Sequence, residues 1–303
     1  NTFDASNIGL YVQDLVSITP TFKLLGGLRF DRFRASYNDV AGVSNSRSDN
    51  LWSPRLGALY QPDAASSYYL SFGTSYNTSG DTYQFTPGAP SGRSFNTDPE
   101  KSRNLELGGK WEVLDNRASV GVAAFYSEKY NERNTDPDTA ATQELLSGKR
   151  HAAGMEFNLA GRLNPKWEVF FNHTWIPKAK IDESNVQPSA TNPQGGAQRK
   201  GDRPGLTPRH SGSVWTTYRL TPELRVGGGL NYRGEQHPEG SRNTMADGFV
   251  TADLMAEYTF SERWSLKLNV TNVTDKLYAD SLYRGFYAPG APRAVQLTAK
   301  AMF

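Results

Sequence analysis

The connections in this sequence alternate in length, and that alternation constrains the fold more than any single motif. Thirteen segments carry strand-like patterning, at about 6–17, 21–36, 51–61, 67–77, 100–114, 117–134, 147–163, 166–180, 207–220, 223–237, 247–260, 263–275 and 291–303. After the odd-numbered segments up to the eleventh come short turns: Thr19-Pro20, Pro62-Asp63, Asp115-Asn116, Asn164-Pro165, Thr221-Pro222 and Ser261-Glu262. Each has the Pro, Asn, Asp or Ser chemistry of a tight turn. After the even-numbered segments come long polar loops, at about 37–50, 78–98, 135–146, 181–203, 238–246 and 276–290. Tight turns at one rim and long loops at the other are the pattern of a transmembrane antiparallel β-barrel of the outer-membrane kind.

The faces of the strands agree. Leu105, Leu107, Trp111 and Val113 alternate with Glu106, Gly108, Lys110 and Glu112, and Val250 to Phe260 alternates the same way with Thr251, Asp253 and Glu257. The last segment places Val295, Leu297, Ala299, Ala301 and Phe303 on one face and Gln296, Thr298 and Lys300 on the other. This is the period of a strand between two environments. A lumen of many strands is too wide for side chains to fill, so the apolar face is expected to meet lipid and the polar face to line the interior.

Composition removes several alternatives. There is no cysteine, which excludes disulfides and thiolate metal sites. No stretch of apolar residues is long enough for a transmembrane helix. A mean hydropathy of −0.61 is compatible with strands that are apolar only on alternate residues. The net charge of +2 offers no case for nucleic acid as a partner. The chain starts at Asn1 without methionine or a secretory leader, which suggests a processed or truncated start. Single-chain bacterial barrels have an even number of strands. Thirteen segments, the first ending in a short turn, therefore imply an odd number of strands upstream, nine of them if the barrel has about 22.

Particular stretches carry a resemblance. Leu268–Ser281 (LNVTNVTDKLYADS), followed by Pro289-Gly-Ala-Pro-Arg293 and a final strand to Phe303, resembles the carboxyl end of TonB-dependent outer-membrane receptors. Asp98–Val113, Phe125–Pro137 and Thr207–Tyr218 resemble the ferric-siderophore branch of that family, most of all catecholate siderophore receptors. The resemblance implies that residues 1–303 are the carboxy-terminal part of a 22-stranded barrel. The plug, the TonB box and the first strands would lie outside this sequence. It also implies an active transporter of ferric siderophore, energised by TonB with ExbB and ExbD through the amino-terminal region. Phe303 would be the assembly signal, outer-membrane lipid and lipopolysaccharide the surroundings, and a monomer the expected state. No enzyme activity and no cofactor are expected, because iron would enter only as the chelate. A passive porin-type channel and a loop-displaying structural or adhesin barrel are the competing readings.

Extending the inward register to the outer strand ends places Arg133, Arg150, Lys178, Arg209 and Arg233 around one rim. Trp175, Tyr130, Tyr232 and the Tyr283-Arg284-Gly285-Phe286-Tyr287 segment supply rings nearby. Such a rim suits a strongly anionic aromatic chelate through charge and cation–π contacts. Pairing of these bases with neighbouring acids such as Glu132 and Glu235, or contact of outward members with lipopolysaccharide phosphates, is the competing reading. His151, His173, His210 and His237 form no pair at ligand spacing along the chain, so neither a metal site nor a catalytic triad is expected. The glycine clusters at 26–27, 108–109 and 227–229 sit inside strands without a following helix. They read as places of local bending or close approach of another backbone rather than phosphate loops. Tyr60, Tyr76, Trp111, Trp167, Tyr218 and Trp264 read as interfacial girdle.

Overall fold

The computed structural model describes residues 2–38, 40, 42, 44–78, 98–133, 145–184, 199–238, 244–283 and 286–302. The strands are β1 (Thr2–Ser17), β2 (Phe22–Asn38), β3 (Ser44–Tyr60), β4 (Ser66–Asn77), β5 (Glu100–Val113), β6 (Ala118–Arg133), β7 (Leu145–Asn164) and β8 (Trp167–Glu183). They continue as β9 (His210–Arg219), β10 (Leu224–Arg233), β11 (Phe249–Thr259), β12 (Trp264–Thr271), β13 (Ala279–Leu282), β14 (Tyr287–Pro289) and β15 (Ala294–Ala301). Thirteen of them form one antiparallel meander in chain order, with β1 and β15 at its two edges. The remaining two, β13 and β14, make a separate hairpin.

The thirteen expected segments are the thirteen strands of the meander, but two loops differ from expectation. The β2–β3 hairpin continues in register to Asn38↔Ser44, so the polar stretch read as a loop at 37–50 is mostly ladder. Its polarity reflects strands that rise beyond the apolar belt. The stretch read as a loop at 276–290 contains β13 and β14, strands too short to show a period of their own.

The inner turns close through their own side chains. Thr19 Oγ1 accepts from the Phe22 amide at 3.0 Å, Thr221 Oγ1 from the Leu224 amide at 3.0 Å, and Asn164 Oδ1 from the Lys166 amide at 2.9 Å. Asp63 accepts from the Ala65 amide and the Ser66 hydroxyl, both at 2.8 Å. The Ser66 hydroxyl, followed by the Ala65 amide, holds the Asp63 carboxyl below its ordinary pKa. The β5–β6 turn runs through Leu114, Asp115 and Asn116 with φ of 56°, 58° and 61°. Asp and Asn tolerate that left-handed region better than most residues.

Register confirms the two faces. Leu105 pairs with Tyr126 and Leu107 with Ala124 on one face, while Glu106 pairs with Phe125 on the other. The buried residues Phe33, Ala35, Tyr37, Leu51, Ala123 and Met255 all belong to rows of the polar face. The apolar rows are open, with Leu10 at 69 %, Leu107 at 60 % and Leu297 at 64 % exposure. That is the reverse of a water-soluble sheet and fits a sheet whose apolar face is solvated by lipid. No helix among the described residues is long and apolar enough to cross a membrane, which says nothing of strands.

Rings on the polar face lie across glycines of the neighbouring strand. A Cβ at Gly108 would come within 2.5 Å of the Tyr69 ring, and one at Gly229 within 2.5 Å of Trp215. Tyr69 also donates its hydroxyl to Glu106 at 2.5 Å. Gly108 and Gly229 are thus seats for aromatic rings, and a Cβ at Gly229 would also come within 2.5 Å of the Val214 carbonyl oxygen, a close backbone approach. Gly26 differs, since a Cβ there would meet nothing within 4 Å.

Candidate ligand site at the outer mouth

Two groups of side chains occupy the outer mouth on the polar face. The first lies over β5–β7. Lys129 Nζ approaches Glu100 at 2.9 Å and Glu132 at 3.9 Å, and Arg150 pairs directly with Glu132. Glu132 comes into reach because Asn131 adopts a left-handed φ of 53°, and the β6–β7 register shifts just beyond it. Such a bulge re-aims a side chain across the pleat. Glu132 is only 1 % exposed, so its charge is buried against these cations. Arg150 and Lys129 border a cavity of about 310 Å³ lined also by Ser75, Ser102, Asn104, Ser127 and Thr207. Arg150 Nη1 has no hydrogen-bond partner among the described residues.

The second group lies over β10–β14 and is built on Asn272. Its amide receives no help from a regular ladder; instead it donates to Asp253 Oδ1 at 2.8 Å. Its side chain accepts from the Lys276 amide at 2.9 Å and donates to the Lys276 and Ala291 carbonyls at 2.9 and 3.0 Å. Asn272 and Asp275 both have positive φ, 47° and 52°, and Asp275 Oδ1 accepts from the Arg293 amide at 2.8 Å. These bonds fold the segment after β12 back over the start of β11. Tyr278 then packs on Phe249 with ring centres 4.2 Å apart, and Tyr283 stacks on Phe286 at 4.6 Å. Together with Tyr287 and Met245 these rings line a cavity of about 460 Å³. Arg233 stands 5.3 Å from the Phe249 ring and is held by the Asp280 carbonyl at 2.7 Å.

The rim expected from strand parity is therefore only partly assembled. Arg150 and Arg233 are on the polar face, and Tyr283 and Tyr287 line the larger cavity. Arg209 precedes β9 and donates to the Pro177 carbonyl at 3.2 Å, beside Arg203, which donates to the carbonyls of Ile176 and Thr207 at 2.7 Å. Burial, and then the Arg209 charge, lower the Arg203 pKa from its ordinary value.

Lys178 is not on the lumen side. Ala153 pairs with Lys178 but Met155 pairs with Trp175, so Ile176 and Pro177 together oppose Gly154. That extra residue flips the strand and puts both Trp175 and Lys178 in rows of the apolar face. Trp175 stacks there on His210 at 6.2 Å. The side chain of Arg133, and Arg284 and Phe303 altogether, lie outside the described residues.

Sequence spacing also missed a histidine pair. His210 Nδ1 lies 3.3 Å from His173 Nε2 across β8 and β9, on the apolar face. Neighbouring strands bring together residues far apart in sequence, so spacing along the chain carried no sign of it. Among the described residues no group of three or more His, Asp or Glu is placed to hold a metal ion. Phe249 and Tyr278 were likewise missed; an aromatic at lumen parity on the first residue of β11 was the available sign.

Residues 1–273 match the family model described as TonB dependent receptor-like, beta-barrel. The chain belongs to that family. Such receptor barrels are outer-membrane proteins, and the exposed apolar belt of this one has the corresponding chemistry. The chain is 33% identical over 97% of its length to the probable TonB-dependent receptor BfrD of Bordetella pertussis, covering 40% of that protein. It is 29% identical over 97% of its length to the catecholate siderophore receptor Fiu of Escherichia coli K12, covering 41% of it. The crystal structure of the siderophore receptor PiuA from Acinetobacter baumannii superposes with a TM-score of 0.82 at 26% identity, over 98% of this chain and 43% of that one. The closed form of Fiu gives 0.80 at 25% identity, over 99% and 45%. The chain thus spans about two-fifths of the length of the curated relatives it matches.

Proposed function

We propose that this chain forms the carboxy-terminal thirteen strands of a receptor that takes up a ferric siderophore, of catecholate type, across the outer membrane. In this reading the remaining strands and a plug come from further chain, and TonB energises transport through that amino-terminal region. Iron passes as the chelate, with no resident cofactor and no chemical conversion.

The observation that carries the reading is the aromatic cavity at the outer mouth with Arg233 at its edge. Flat, electron-rich rings in offset contact accept the edges of catechol rings. A guanidinium beside them attracts the negative charge that a ferric catecholate carries. Membership of the receptor family and the likeness to Fiu and PiuA support the same ligand class. A passive channel would have no use for an aromatic cup at its mouth.

The test is equilibrium binding of a ferric tris-catecholate to the full-length receptor with Arg233→Ala, Phe249→Ala and Phe286→Ala combined. Affinity should fall on the order of 100-fold, at roughly 1 kcal/mol for each ring or cation contact removed. A ferric hydroxamate of neutral charge serves as the comparison ligand. Unchanged affinity for the catecholate would remove this cavity from the site, and preference for the hydroxamate would overturn the ligand class.

A further inference from the structure

The bulge that removes Lys178 from the lumen also builds something on the outer face. Four rows cross β5, β6, β7 and β8 there. The lowest is Leu107, Ala124, Met155 and Trp175, and above it lie Leu105, Tyr126, Ala153 and Lys178. The third is Arg103, Glu128, His151 and Lys180, and the fourth Lys101, Tyr130, Lys149 and Glu183. The chemistry changes from apolar to cationic within a single row, about 7 Å of sheet.

Several of these groups are organised by each other. Glu128 accepts from Tyr130 at 2.6 Å and Tyr126 at 3.1 Å and pairs with Lys149 at 2.8 Å. Arg103 lies 5.1 Å over the Tyr130 ring, Lys101 5.4 Å over Tyr76, and His151 bonds Asp182 at 2.7 Å. Lys178 and Lys180 are exposed and make no ion pair among the described residues. With them, five lysine and arginine side chains face Glu128, Asp182 and Glu183, leaving the patch cationic. Directly beneath, Leu105, Leu107 and Trp175 are exposed at 45 %, 60 % and 38 %.

We infer that this collar binds a phosphorylated, acylated glycolipid of the outer leaflet, with its phosphates on Lys178, Lys180 and Arg103 and its acyl chains on the apolar rows below. A small soluble anion would use the cations and leave the adjoining apolar bed unused. A zwitterionic phospholipid would gain nothing from the excess positive charge. The level fits as well, since Tyr126 and Trp175 mark the interface where aromatic side chains collect. The inference needs only the outer-membrane placement of the barrel, and it stands or falls independently of the ligand taken at the mouth.

The experiment measures binding of bisphosphorylated lipid A, and of lipid A with both phosphates removed, to the full-length receptor in uncharged detergent. In the unaltered receptor the phosphorylated form should bind at least about 10-fold more tightly. Lys178→Ala with Lys180→Ala should abolish that preference, and Lys178→Arg with Lys180→Arg should retain it. Ferric siderophore binding should be the same in all three, because these side chains face away from the lumen. Equal binding of the two lipids, an undiminished preference in the alanine variant, or full displacement by millimolar inorganic phosphate would overturn the inference. So would a loss shared by siderophore binding and not restored by arginine.

Discussion

The two sides of the outer mouth use the same kinds of residue to opposite ends. Over β5–β7, Lys129 and Arg150 are turned toward Glu100 and Glu132, and the cations are neutralised where they stand. Over β10–β14, Arg233 is held mainly by a backbone carbonyl, its carboxylate neighbour Asp280 lying 3.9 Å away, and rings rather than acids surround it. A basic residue at the rim is thus not by itself a ligand contact. What separates the two sides is whether the strand register delivers an acid or an aromatic next to it.

The sharpest way to break this comparison is Glu132→Ala. If the β5–β7 side is a structural ion cluster, removing its buried acid takes the carboxylate away from Arg150, leaves Lys129 to Glu100 alone, and destabilises the barrel by about 3 kcal/mol. Thermal unfolding of the receptor in detergent reads this, with little change in affinity for the ferric ligand. A gain in affinity without loss of stability would mean that the cluster is a ligand site held shut by Glu132. Asn272→Ala comes next. It removes the side-chain bonds that fold β13–β14 over β11, at about 2 kcal/mol, and should also lower ligand affinity because the cavity loses its roof. Phe286→Ala alone should weaken catecholate binding by roughly 5-fold and leave unfolding almost unmoved. The smallest effect belongs to the inner rim. Asp63 has a depressed folded-state pKa, so its contribution is present above the ordinary carboxylate pKa and lost as pH falls through the lower folded value. Asp63→Asn should therefore flatten the stability profile below about pH 4, matching the unaltered receptor at low pH and falling slightly below it on the neutral plateau.

Much of the architecture was legible because it is local. Period-2 alternation and turn chemistry depend on residues one to four positions apart, and Thr19, Asp63 and Thr221 close their turns with bonds of that span. The resemblance of Leu268–Ser281 to receptor termini was also legible, although the structure gives Asn272 a different kind of importance from a ligand contact. The site was only half legible because it depends on registers between strands. A positive φ at Asn131 and one extra residue at Ile176–Pro177 each change which face a side chain takes. Neither leaves a period in the sequence, and parity carried past such a point gives the wrong face, as it does for Lys178. The pairing of His173 with His210 depends in the same way on how β8 meets β9.

The bulge opposite Gly154 has a further consequence for how such receptors diversify. Proline has no amide to lose from the ladder, so Pro177 suits a place where pairing is already interrupted. Deleting one of its two residues would restore plain pairing and leave Lys178 and Lys180 on the membrane side, whereas the same loss elsewhere in β8 would exchange the two faces beyond that point unless a new bulge formed. The bulge is thus a place where the strand can shed a residue without exchanging what it shows to lipid for what it shows to the lumen.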